Sequence, residues 1–294
     1  GAEAAFDRAL ALDPGSLPAR AARADLRFRR GERGGAASDY RALLEAAPDT
    51  PGAWNALGLI ASGNGKADEA LAHFRRAVAI APDLVPALIN LGSTLIGRHA
   101  PSEALDCLDH ALDRDPGSAA AHLNRSVALL NQGRAREAAD AARQTLALEP
   151  GNAAAMSNLL AALQYDPDCD AATRRRAAFD WGARFASLPQ IDHAGRDRNP
   201  ARRLKLGYLS GDLRGHPVGI YLTAVLPHHD RAGWEVHCYA NQRGGDAITD
   251  KLRASSDRWA EVATLDDARL AQRIADDRID ILIDLSGHTN GNRL

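Results

Sequence analysis

Apolar and polar positions follow a helical rhythm up to about residue 187 and a strand-and-helix rhythm after residue 203. In the first part, Pro14, Pro48, Pro82, Pro116 and Pro150 recur every 34 residues, each closing an apolar phrase such as ALALDP or AVAIAP. A period of that length predicts helix–turn–helix repeats, because one hairpin cannot bury its own apolar face and a stack can. Proline ends each second helix, since its ring and missing N–H oppose continuation. Small residues recur in the first helices (Gly58, Gly92, Ser126) and alanines in the second (Ala36, Ala70, Ala104, Ala138). We expect the small residues to face those alanines, with Leu57, Leu91 and Leu95 filling the space between hairpins.

The repeat opening at Pro51, with Trp54, Leu57, Gly58, Ala70, Phe74, Ala77 and Pro82, resembles the tetratricopeptide pattern. The array is expected over residues 1–165. A linker helix at 171–187, with Phe179, Trp181 and Phe185 as packing residues, and a connector then fill 166–202. The resemblance implies a superhelix with its first helices on a concave face. Asn90, Asn124 and Asn158, also 34 residues apart, would form a ladder there. Each amide both donates and accepts, which suits the backbone of an extended peptide. The plainer alternative is three solvated asparagines, and Ala22 and Ala56 hold the same place in the earlier repeats.

Residues 203–294 read as strands at 204–210, 234–240, 258–263 and 279–285, alternating with helices at 218–226, 247–254 and 267–276. That alternation predicts an α/β domain with a doubly wound parallel sheet, whose ligands bind beyond the carboxyl ends of the strands. Two of those ends carry Gly215-His216-Pro217 and Ser286-Gly287-His288-Thr289-Asn290. There is no G-x-G-x-x-G after the first strand, no P-loop and no G-x-S-x-G elbow. Two histidines with no third ligand at a recognisable spacing give no metal site, so no metal is expected.

Composition narrows the classes. The 294 residues carry a formal net charge of -2 with both signs interspersed, which gives no reason to expect nucleic acid as a partner. No apolar run is long enough for a bilayer, and there is no signal-peptide pattern, so a cytoplasmic location without membrane contact is expected. Cys107, Cys169 and Cys238 form no cluster.

The stretch Arg203 to Pro217, RLKLGYLSGDLRGHP, followed by DLSGHT at 284–289, resembles the start of the catalytic region of the O-linked N-acetylglucosamine transferase family. Tetratricopeptide repeats ahead of that region and the asparagine ladder fit the same family. The resemblance implies the first lobe of a two-lobed, GT-B-like glycosyltransferase. Such an enzyme would move N-acetylglucosamine from UDP-GlcNAc, with inversion and without metal or a permanently bound cofactor, to serine or threonine hydroxyls of proteins held by the repeats. The family's proposed base falls on His216, and a phosphate oxygen of the donor is the other candidate. Asp212, Gly215, Pro217, His288 and Thr289 are expected to contact sugar or acceptor. Fucose or glucose donors remain alternatives, as does a non-catalytic repeat scaffold with a degenerate appendage. The chain opens at Gly1 without methionine and stops at Leu294 after an apolar strand, so a missing C-terminal lobe is expected as a partner.

Overall fold

The computed structural model of the chain describes residues 1–185, 197, 199 and 201–287. They fall into two compact units, Gly1–Gly182 and Ala183–Leu294.

The first unit is all helix. α1 (Ala2–Leu12) precedes four hairpins: α2 (Leu17–Arg29) with α3 (Arg33–Ala46), α4 (Pro51–Gly63) with α5 (Ala67–Ile80), α6 (Val85–Gly97) with α7 (Pro101–Arg114), and α8 (Ala119–Asn131) with α9 (Ala135–Leu148). α10 (Ala153–Tyr165) and α11 (Ala171–Phe185) complete it. The second helices end at Ala46, Ile80, Arg114 and Leu148, and in each case one capping residue separates the helix from the periodic proline. Proline pushes the residue before it out of helical conformation, so the sequence period sets the helix ends.

The recurrent alanines are buried without remainder, and Leu57, Leu91 and Leu95 are buried too. Two of the small residues of the first helices, Gly58 and Gly92, have a large side chain as their nearest neighbour. A Cβ on Gly58 would run into the Phe74 ring, and one on Gly92 would stand 2.8 Å from Leu108 Cγ. Phe74 and Leu108 lie one turn beyond Ala70 and Ala104 on the same helix face. The gap left by glycine is therefore filled by a large side chain, not matched by alanine.

The buried residues form two main clusters. One spans α2 to α4, and the larger one runs from Ala61 through Met156 to Leu163. Trp181 of α11 packs on the larger cluster, whereas Phe179 is 71% exposed and does not pack as expected. On α11, Phe179 stands two residues from Trp181, hence on the opposite side of the helix. The side chain of Phe185 lies outside the described residues.

The N-terminal hairpin adds charge to its packing. Asp39, 4% exposed, accepts from Arg23 Nε (2.9 Å) and Nη2 (2.6 Å) and from Arg27 Nη1 (2.9 Å). The same arginines reach Asp7 (2.8 Å) and Glu3 (2.8 Å) on α1. Hydrogen bonds to these acids hold the Arg23 guanidinium above its ordinary pKa, despite burial.

The second unit is a four-stranded parallel sheet of β1 (Leu204–Ser210), β2 (Trp234–Ala240), β3 (Arg258–Glu261) and β4 (Ile281–Asp284), ordered β3-β2-β1-β4. Its helices are α12 (Pro217–Val225), α13 (Ala247–Ala254) and α14 (Asp267–Asp276). Leu206, Tyr208, Val236 and Cys238 share one face with Leu222 and Leu252 of α12 and α13. Leu209 and Tyr239, on the other face, pack with Leu270 of α14. Helices thus cover both faces, as a sheet of parallel strands requires. β3 and β4 are shorter than the sequence pattern suggests. They are the edge strands and pair on one side only.

Candidate active site

The strand order fixes where a ligand would bind. The chain moves outward from β1 to β2 and β3, then returns to the other side of β1 as β4. Such a reversal of strand order is where open parallel sheets take ligands, in a crevice beyond the carboxyl ends of the strands. β1 carries the loop 211–216 and β4 the loop from Leu285.

These two loops are tied together. Leu285 N–H donates to Leu209 O (3.0 Å), and Gly211 N–H to Ser286 Oγ (3.3 Å). The Asp284 carboxylate turns the second loop by accepting from Ser286 N–H (3.3 Å) and Gly287 N–H (2.7 Å), with Gly287 at φ 51°. His288 and Thr289, expected to contact sugar or acceptor, lie outside the described residues.

His216 is the N-cap of α12, and Pro217 is its first residue. Proline suits that position because its fixed φ is helical and its missing N–H would be unpaired anyway. The ring folds back so that Nδ1 accepts from Val218 N–H (3.3 Å), while the side chain stays 43% exposed. Asp212 Oδ2 lies 3.7 Å from the same Nδ1, and Asp212 Oδ1 lies 3.6 Å from the Arg214 guanidinium. The loop's own backbone is pinned by Asp212 N–H to Ser210 Oγ (3.0 Å). Of the site residues expected from sequence, Asp212, Gly215, His216 and Pro217 therefore share one loop.

Two glycines, Gly215 in the loop and Gly219 in α12, are set by their neighbours. Gly215 donates its N–H to Asp246 Oδ2 (2.7 Å), and a Cβ there would come within 2.8 Å of that oxygen. A Cβ on Gly219 would overlap Arg214 O and N, so only glycine lets α12 lie against the preceding turn. Gly215 thus serves carboxylate packing in this structure.

Sequence reading missed the groups that hold this loop from behind. Leu213 is fully buried, and its C=O accepts from Thr249 Oγ1 (2.8 Å) and Gln242 Nε2 (2.9 Å). Asp246 caps α13 through Oδ1, taking Ile248 N–H (2.9 Å) and Thr249 N–H (3.0 Å). Backbone N–H donors from Thr249 and Gly215 hold the Asp246 carboxyl below the usual carboxylate range. An aspartate one residue ahead of the expected helix, with Thr249 three residues later, was the available signal for the cap. Nothing in the sequence signalled its second partner.

Two other histidines of this unit, His229 and His237, have local partners. Tyr208 OH and His229 Nε2 are 2.9 Å apart, and buried His237 pairs with Glu235 (2.8 Å). His237 also borders a polar cavity of about 310 Å³ at the amino ends of the strands, away from the crevice. There Asp277 accepts from Tyr239 (2.8 Å) and Arg273 (2.9 Å). Among the described residues, no three His, Cys, Asp or Glu side chains converge as metal ligands, and no helix is long and apolar enough to cross a membrane.

In the repeat unit, Asn90, Asn124 and Asn158 sit at matching positions of α6, α8 and α10, all half-buried. Asn90 Nδ2 donates to Asn55 Oδ1 of the preceding first helix (2.9 Å), and Asn158 Nδ2 to Ser126 Oγ (2.8 Å). One N–H of each of these two amides is therefore spent between repeats, and Asn55 joins the row.

Tetratricopeptide-like hairpins are thus followed by a parallel α/β sheet whose loops gather where the strand order reverses. Residues 185–294 match the model of glycosyl transferase family 41, and residues 21–85 and 61–126 match tetratricopeptide repeat models. These matches bear out the resemblance to the O-linked N-acetylglucosamine transferase family. The fold is similar to that of a Thermobaculum terrenum O-GlcNAc transferase mutant, with a TM-score of 0.72 and 37% identity over 83% of this chain and 47% of that one. A probable UDP-N-acetylglucosamine–peptide N-acetylglucosaminyltransferase SPINDLY of Solanum lycopersicum is 32% identical over 142 residues, 47% of this chain and 15% of that protein. A Caenorhabditis elegans UDP-N-acetylglucosamine–peptide N-acetylglucosaminyltransferase is 34% identical over 94 residues, 31% of this chain and 8% of that protein. The chain thus spans about half of the bacterial structure and a smaller share of the curated relatives it matches.

Proposed function

We propose that this chain is the acceptor-holding and base-bearing part of a protein O-glycosyltransferase. The transferase moves N-acetylglucosamine from UDP-GlcNAc to serine or threonine hydroxyls, in the cytoplasm, by inversion and without metal. The observation that carries the reading is the His216 loop at the sheet's switch point. A base there stands where a doubly wound sheet receives its ligand. The family 41 match and the names of the relatives support the donor and the acceptor class. A second, donor-binding lobe completes the site in this reading.

The chemistry balances as follows. The acceptor oxygen attacks the anomeric carbon, the bond from that carbon to the diphosphate oxygen breaks, and its electron pair leaves on UDP. The hydroxyl proton goes to Nε2 of His216, which must then be neutral and unprotonated at that nitrogen.

The resting ring accepts at Nδ1 from Val218 N–H, and a neutral ring so bonded carries its proton on Nε2. Base action at Nε2 requires the other tautomer, with Nδ1–H donating. Asp212 Oδ2, 3.7 Å from Nδ1, would accept that proton once it closes to hydrogen-bond distance. Its role in this reading is to select the working tautomer, in addition to any contact with sugar. The asparagine row of α6, α8 and α10 holds the acceptor peptide through the amide atoms not spent between repeats.

The test is transfer of labelled sugar from UDP-GlcNAc by the complete transferase, with His216→Ala and Asp212→Asn compared with wild type. General-base loss predicts a fall in kcat of about 100-fold or more for His216→Ala, with donor affinity retained. Undiminished transfer removes His216 as the base and leaves the donor phosphate in that role. No transfer from UDP-GlcNAc, UDP-glucose or GDP-fucose, with acceptor binding intact, returns the chain to the class of scaffolds.

A further inference from the structure

We infer that Asp246 is a positioning residue for the His216 loop: one carboxylate caps α13 with Oδ1 and grips Gly215 N–H with Oδ2, fixing where the ring of His216 is presented. The inference rests on reading His216 as the base. It adds a residue that belongs to neither of the loops bordering the crevice.

Gly211 N–H to Ser286 Oγ (3.3 Å) and Asp212 N–H to Ser210 Oγ (3.0 Å) hold the start of the loop, and His216 N–H turns back to Arg214 O (2.6 Å). Arg214 and His216 are exposed, so side-chain burial does not anchor its tip. Its base is anchored by Leu213, whose C=O is held by Thr249 and Gln242. Its far end is held by Gly219, which abuts Arg214 O. Between these anchors, Gly215 N–H is the backbone group immediately before His216, and its partner is Asp246 at 2.7 Å. A charge-assisted bond of that length is the strong kind, and a carboxylate whose other oxygen caps a helix has its direction already set.

The two carboxylate oxygens have separable duties. Oδ1 takes Ile248 and Thr249 N–H, and Oδ2 takes Gly215 N–H. Asparagine is as good an N-cap as aspartate, so Asp246→Asn keeps the first duty. With its oxygen turned to the helix, its NH2 faces Gly215 N–H, donor against donor, and the second duty is lost. Gly215→Ala attacks the same contact from the other side, through a Cβ 2.8 Å from Oδ2.

Two readouts test this. In this chain, the imidazole carbon and nitrogen resonances of His216, identified by their loss in His216→Ala, should shift or broaden in Asp246→Asn, with the melting temperature little changed. In the complete transferase, kcat should fall about 10- to 100-fold, with the donor KM within about twofold, because a displacement of about 1 Å can cost 10²-fold. Both substitutions act through one contact, so Gly215→Ala combined with Asp246→Asn should be no worse than the more severe single change. Unchanged His216 resonances in Asp246→Asn overturn the inference, whatever becomes of the activity. Multiplying losses in the double variant overturn it too, as does a fall in kcat that follows the folded fraction. If His216→Ala leaves transfer intact, the base assignment fails, while the resonances still report separately whether Asp246 positions the ring.

Discussion

Gly58, Gly52 and Gly219 are glycines in helices with three different surroundings. A methyl group on Gly58 would enter the Phe74 ring, one on Gly219 would meet the Arg214 backbone, and one on Gly52 would find open space. Overpacking of a filled core costs about 1–3 kcal/mol, so Gly58→Ala should lower the stability of the repeat unit by that order. Gly52→Ala should be neutral or raise it by up to about 1 kcal/mol through helix propensity. Urea unfolding followed by far-ultraviolet circular dichroism, which the repeat helices dominate, measures both. Gly219 has backbone as its neighbour and no flexible side chain to yield. This residue was not legible as special in the sequence, because the contact depends on how the loop closes over the helix. Gly58 was legible as small, yet its filler, Phe74, was not separable from Ala70 by spacing, since both lie on one face.

Elements start in different ways along the chain. α4 and α6 open with proline at their first or second position and have no side-chain cap, whereas α8 and α10 are capped by Ser118 and Asn152. Asn152 Oδ1 accepts Ala155 N–H at 2.9 Å, so Asn152→Ala should cost about 1 kcal/mol in the same urea experiment. α13 carries the cap with consequences beyond its own helix. The Asp246 carboxyl is depressed in the folded protein, so its contribution to stability is present above the unfolded value of about 3.9 and is lost as pH falls through the lower folded value. The Gly215 amide proton resonance should therefore titrate with a midpoint below about 3.9, and the step should vanish in Asp246→Asn. The strands and helices of the second unit could be read from the sequence to within about two residues, because period and turn residues there are local signals. The bond between α13 and the His216 loop spans 31 residues, and no local pattern encodes it.

The molecule as a whole gets its order from two kinds of packing. The larger core of the repeat unit is apolar, whereas the N-terminal hairpin leans on Asp39, Arg23, Arg27, Glu3 and Asp7. Partly exposed ion pairs weaken as salt shortens the Debye length, from about 10 Å at 0.1 M to about 3 Å at 1 M. Hydrogen exchange in 1 M salt should therefore quicken for α1–α3 while α7–α9 keep their protection. Equal loss in both regions would mean that the charge network contributes nothing specific. The partly exposed ion cluster was invisible in sequence, where its members are ordinary surface-type residues of three different helices. The repeat architecture was visible at once, because five prolines in register report a geometry that every hairpin shares. In the proposed reading the two units divide the labour: repeats supply a row of amides, and the sheet unit supplies a single aimed imidazole.

The proline register makes the array editable in whole modules. Removing residues 83–116 would join Pro82 to Gly117, and Ser118 would still cap α8. Every helix boundary on either side of the junction would keep its own signals, and α5 would meet α8 as α7 now does. The shortened protein would lose one asparagine, Asn90, from the row and nothing from the His216 loop. Under the proposed function, recognition length and bond-making chemistry can then drift independently, the first by counting modules and the second by changing a handful of loop residues.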